Sequence, residues 1–127
     1  MTPAAYVKSL LDESISIIPE LDSGHIHSFF IPSDDNNNNS PIIVVSEIPS
    51  GTDEYGNGFP ILEQKKVQLE IYYPKDYVGD MSNVESALKS ILLNNSIYCF
   101  SDAGHVITPD SKNIINTLKF NYNKEVM

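Results

Sequence analysis

Gln68–Leu93 reads QLEIYYPKDYVGDMSNVESALKSILL, and a change of period inside it decides the fold. Val67, Leu69, Ile71 and Tyr73 alternate with Lys66, Gln68, Glu70 and Tyr72, which predicts a strand with one core face and one wet face. Val84, Leu88, Ile91 and Leu92 then recur at helical spacing and predict the buried stripe of a helix. Ser82-Asn83-Val84-Glu85 reads as a capping box, with Glu85 reaching back to the Ser82 amide. Asp76, Asp80 and Glu85 fall together where strand passes to helix. Capping accounts for Glu85, and negative charge just before a helix start suits the dipole at Asp80. Asp76 falls in a turn. The junction is therefore read as architecture.

Outward from there the chain alternates short elements with turn signals. Thr2-Pro3 is a hydroxyl N-cap followed by proline at the first helical position, and Val7, Leu10, Leu11 and Ile15 continue a helix that Pro19 ends. HIHSFFIP (25–32) is a short strand, and SDDNNNNS (33–40) is read as a mobile hairpin tip. PIIVVSEI (41–48) is an unbroken apolar run, expected to be a strand buried on both faces. PSGTDEYGNGFP (49–60) reads as a long Gly-rich loop, mobile like the Asn tract. After the second helix, SIYCFS is a strand, His105–Ile107 extends a second edge, and NIINTLKFNY is a strand whose Ile114, Leu118, Phe120 and Tyr122 share a face with Asn116. The expectation is one α+β domain over residues 1–127, a small and mostly antiparallel sheet packed with two helices in the order α-β-β-β-α-β-β.

Composition narrows the function classes. The chain carries 8 Lys+Arg against 17 Asp+Glu, a formal charge of −9. A polyanion or an anionic membrane is a poor partner for such a surface. The amino terminus lacks the basic and apolar runs of a secretory signal, and no apolar run approaches the ~20 residues of a membrane span. Cys99 is the only cysteine, so no internal disulfide forms, and a free thiol fits synthesis in a reducing cytoplasm.

Candidate chemistry is sparse. His25 and His27 share a strand face at a spacing able to bind a metal, with His105 as a conceivable third ligand, but no metal-hydrolase motif accompanies them. Ser101, Asp102 and His105 contain triad residue types without a nucleophile elbow, and residues adjacent in sequence seldom converge as a triad does. Cys99, between Tyr98 and Phe100, reads as core. No catalytic, cofactor or metal residue is assigned. Asp53, Glu54, Tyr55 and Phe59, on the Gly-rich loop, are the candidate partner contacts, with Tyr55 and Phe59 either anchoring a partner or folding back over the core.

Three stretches, MTPAAYVKSLLDES, EIYYPKDYVGDMSNVESAL and GHVITPDSKNIINTLKF, together resemble a family of small proteins from the tail modules of siphophages and prophages of Gram-positive bacteria. That family is described as a domain of unknown function or as tail terminator or tail-completion proteins. The resemblance runs through most of the chain, and DDNNNNS departs from the family's pattern by lengthening a turn. It implies a tail-terminator-like fold and a structural virion protein made in the host cytoplasm. Such a protein forms a ring, usually a hexamer, at the head-proximal end of the tail. Its partners would be further copies of itself, the major tail tube protein and a head-completion or connector protein. Two other readings stand beside it: a monomeric cytosolic adaptor or inhibitor, and a small metal-dependent enzyme using His25, His27 and His105.

Overall fold

The strand predicted before the acidic junction is present and longer than its alternation alone indicated. A computed structural model describes residues 2–21, 24–35, 39–49, 53–56, 59–75, 77–109 and 112–125, with the backbone alone at 53–56, 59–63 and 124–125. The elements in chain order are α1 (Pro3–Glu13), a 3-10 turn at Ile15–Ile17, β1 (Ile26–Ser28), β2 (Ile42–Ile48), β3 (Asp53–Gly56), β4 (Phe59–Tyr73), α2 (Met81–Leu93), β5 (Tyr98–Asp102), β6 (Val106–Ile107) and β7 (Ile114–Glu125). The expected α+β class holds; β3 is an added strand, and the edge expected at His105–Ile107 is the two-residue strand β6. The sheet runs β1-β2-β4-β7-β5, with β3 beside β4 and β6 beside β7. Every pairing is antiparallel except β1 with β2.

Register separates the two faces. Val67 lies opposite Phe120, Leu69 opposite Leu118 and Ile71 opposite Asn116, all buried. These residues meet Ile43 and Val45 of β2 and the stripes of both helices: Ala4, Val7 and Leu11 from α1, and Val84, Leu88, Ile91 and Leu92 from α2. Both helices thus cover one face. Fully burying one such aliphatic side chain is worth about 1.5–3 kcal/mol, so the stripes suffice to hold the helices to the sheet. Lys66, Gln68, Glu70 and Tyr72 of β4 and Ile115, Thr117, Lys119 and Asn121 of β7 occupy the outer face, where all are half-exposed. Thr2 caps α1 as expected, accepting from the Ala5 amide at 3.2 Å. The second helix closes with the Ile97 amide donating to the Leu92 carbonyl at 2.9 Å, while Ser96 takes the left-handed conformation (φ 60) usual for glycine.

Two connections differ from the sequence reading. Residues 36–38 of the Asn tract lie outside the described residues, but since β1 and β2 run parallel, the connection between them is a crossover rather than a hairpin. Local pattern cannot distinguish these, because a strand has the same period in either direction. Ile42 and Val44 are accordingly buried although their side chains belong to the outer face. The 49–60 stretch is not one long loop: Asp53–Gly56 and the start of β4 form a hairpin, with a shift of register between Glu54 and Tyr55. The overlooked signal was Asn57-Gly58, a dipeptide favoured between the strands of a two-residue hairpin. None of the described helices is long and apolar enough to cross a membrane.

Candidate functional site

Titratable side chains converge most tightly at the junction of β4 with α2. Asp80, not Ser82, is the N-cap: its Oδ1 accepts from the amides of Ser82 at 3.0 Å and Asn83 at 3.3 Å, and from the Ser82 hydroxyl at 2.7 Å. The Ser82 hydroxyl bond, followed by the Asn83 amide, holds the Asp80 carboxyl below its ordinary pKa. The capping box is therefore not formed. With the helix starting at Met81, Glu85 lies a full turn inside and turns toward the core. It is 6% exposed. Its Oε2 accepts from the Tyr73 hydroxyl at 2.7 Å and lies 2.6 Å from His105 Nε2, in the turn after β5. A carboxylate oxygen accepts, so this bond is made with the imidazole carrying a proton on Nε2. Burial first, then the Glu85 carboxylate, pushes the Tyr73 pKa well up, so its phenol remains a donor. A buried carboxylate is tolerable because both partners are present.

The surrounding residues extend this arrangement. Tyr77 packs on Tyr73 with ring centroids 5.2 Å apart, and Glu20 accepts from the Asp80 amide at 3.2 Å. The Tyr77 hydroxyl is buried beside the Glu20 carboxylate. Burial and the neighbouring Glu20 carboxylate push its pKa up. Asp102 pairs with Lys89 of α2 at 2.8 Å and accepts from Asn116 Nδ2 at 3.1 Å. Lys89 is the first cause of its lowered pKa. Ser101 lies opposite Lys119 on the outer face, whereas Asp102 lies opposite Leu118 on the helix face. With His105 on Glu85, the three triad residue types do not converge.

His25 and His27 do share a face, and both meet Asp35 in the crossover: His25 Nδ1 lies 2.9 Å from each carboxylate oxygen, and His27 Nε2 contacts Oδ2. The carboxylate stands between the imidazoles, where a shared cation would sit. His105, the conceived third ligand, is engaged elsewhere with Glu85. Among the described residues no group of three His, Cys, Asp or Glu side chains is placed to hold a metal ion.

Residues 2–126 match the model of a family described as "Protein of unknown function (DUF806)". The chain belongs to the DUF806 family. No curated protein matches it.

The other sequence candidates are scattered in this DUF806 fold. Asp53, Glu54, Tyr55 and Phe59 lie on the β3–β4 hairpin, and their side chains fall outside the described residues. Asp76 also lies outside them. Cys99 is exposed rather than in the core, because β5 ends the sheet. Sequence reasoning also missed an open cavity of about 340 Å³, lined by residues including Tyr6, Lys65, Ser96 and Tyr122. The Tyr6 and Tyr122 rings lie 5.6 Å apart there. Its lining comes from four elements distant in sequence, so no local pattern announces it. The Glu85 partners, likewise, lie 12 and 20 residues away. What the Glu85 cluster does chemically is brace: one oxygen fastens β4, α2 and the turn after β5 together.

Proposed function

We propose that this DUF806 chain is a structural virion protein, a subunit of the ring that ends a siphophage tail tube and offers a surface to the head-completion proteins. The reading starts from the resemblance of three stretches to tail terminators. One observation carries it further. Along one side of β7, the strands β5 and β6 leave Tyr98 (52% exposed), Phe100 (47%), Val106 (59%) and Ile107 (65%) in the open. An edge strand with bulky apolar side chains and unpaired backbone groups invites another chain. A heterologous contact between copies closes into a ring when the rotation per subunit divides a circle.

On this reading the partners are further copies of the chain, six in all by the resemblance, together with the major tail tube protein and a head-completion protein. The chain works at the head-proximal end of the tail after synthesis in the host cytoplasm. The role calls for surfaces held in place rather than for bond-making, so no catalytic residue, cofactor or metal is assigned. The Glu85 brace then serves to keep the turn between β5 and β6 in position.

Removing the gene from its phage or prophage tests this. Electron microscopy is expected to show headless tails of uncontrolled length, with rings restored at tube ends when purified chain is added. Tails of normal length joined to heads would overturn the reading. Purified chain that leaves tube ends bare would favour a monomeric binding module using the same flank.

A further inference from the structure

The described ion pairs are unevenly placed on this domain, whose net charge is −9. On the helix side two lysines are neutralised locally: Lys8 pairs with Asp12 at 2.6 Å, and Lys89 with Asp102 at 2.8 Å. Glu13 at the end of α1, Glu20, and Asp80 at the start of α2 remain exposed on that side as surplus negative charge. The outer face differs. Lys66 and Lys119 stand on adjacent strands there, two residues out of register and so diagonal neighbours on one face, and neither has an ion pair among the described residues. The Lys66 ammonium lies 5.8 Å from the Phe100 ring centroid, and Tyr98 and Asn121 pair on the same face. Among the described side chains of β4 the outer-face carboxylate is Glu70, which already accepts from the Tyr72 hydroxyl at 3.3 Å.

We infer that this open face, centred on Lys66, Lys119 and Phe100, docks on the helix side of a second copy of the chain, against Glu13, Glu20 and Asp80. The inference rests on the ring reading and specifies which surfaces meet. A second copy is the occupant because its helix side supplies the missing charge. A nucleic acid would instead meet the repulsion of an acidic chain. Two different surfaces in contact make the interface heterologous, as a ring requires. Phe100 and Tyr98 supply apolar area at its centre, where aromatic side chains contribute most, and the lysines set orientation.

Charge swapping tests the pairing in the full chain by sedimentation over a range of concentrations. Lys66→Glu with Lys119→Glu is expected to weaken self-association at least tenfold, and Glu13→Lys with Glu20→Lys to do the same. An equimolar mixture of the two variants restores assembly, because each then presents the charge the other needs. Circular dichroism checks the fold; Glu13→Lys alone replaces the pair if Glu20→Lys lowers Tm. If the natural chain associates and Lys66→Glu with Lys119→Glu leaves that unchanged, the inference fails while the ring reading stands. A mixture that stays dissociated removes the helix side as the partner. A natural chain that is monomeric at every concentration and also ignores tail tubes removes both. Patch-dependent binding to tail tubes or to single-stranded DNA, without self-association, would assign the face to that partner and overturn the inference.

Discussion

His105 Nε2 lies 2.6 Å from Glu85 Oε2, joining a turn beyond β5 to the buried side of α2. The same oxygen holds the Tyr73 hydroxyl, so one carboxylate serves two donors from different parts of the chain. Glu85→Ala removes both bonds and leaves the Tyr73 hydroxyl to the Met81 carbonyl alone, 3.3 Å away. The expected loss is about 1–3 kcal/mol, the range for removing one partner from a buried polar group. His105→Ala should cost less, because its side chain is 38% exposed and water replaces it. Urea unfolding of the two variants checks the order; equal losses would show that the cluster does not brace through Glu85.

Asp80 and Ser82 make competing claims to the cap of α2, and substitution separates them. Asp80→Ala is expected to lower Tm clearly, since two helix-start amides lose their acceptor. Ser82→Ala should lower it much less, because the serine hydroxyl only donates to Asp80. Thermal denaturation followed at 222 nm decides; the reverse order would restore the capping box.

A side chain at Gly79 would force its neighbours to shift. A Cβ there would collide with the Tyr77 hydroxyl and with the Glu20 carboxylate that serves the Asp80 amide. Gly79→Ala is expected to destabilise by about 1–3 kcal/mol, the usual range for forced overpacking. Chemical denaturation measures it, and a neutral result would mean that Tyr77 and Glu20 move aside freely.

Leu118→Ala tests the centre of the sheet. This residue is fully buried opposite Leu69, where neighbours from both helices complete the core. The expected loss is about 2–5 kcal/mol, measurable by urea unfolding.

The Asp102 carboxyl is held below its ordinary value near 3.8, first by Lys89. A lowered folded-state pKa contributes stability that is present above the unfolded value and lost as pH falls through the folded one. Stability should therefore decline below about pH 4, where the unfolded state takes up protons first. In Asp102→Asn this part of the acid decline should be absent. Unfolding midpoints compared at pH 7 and pH 3 check this, and the half-exposed pair makes the effect small.

The periods of the sequence were sufficient for the fold class. Alternation through Val67, Leu69, Ile71 and Tyr73, the helical stripe of Val84, Leu88, Ile91 and Leu92, and the apolar run at 42–45 all predicted their own burial. Each is a local signal, since an element's period follows from its own backbone geometry. Direction, partner and edge position are not local. The parallel course of β1 beside β2, the exposure of Cys99 on the last strand, the meeting of His25 and His27 with Asp35, and the turning of Glu85 from cap to brace all depend on what lies across the sheet. A strand reads the same in either direction, and a glutamate near a helix start reads as a cap until a buried phenol and an imidazole offer it better company. The sequence thus determined which faces are buried, and the tertiary structure alone decided which polar groups meet, because hydrogen bonds are set by position in space rather than by spacing along the chain.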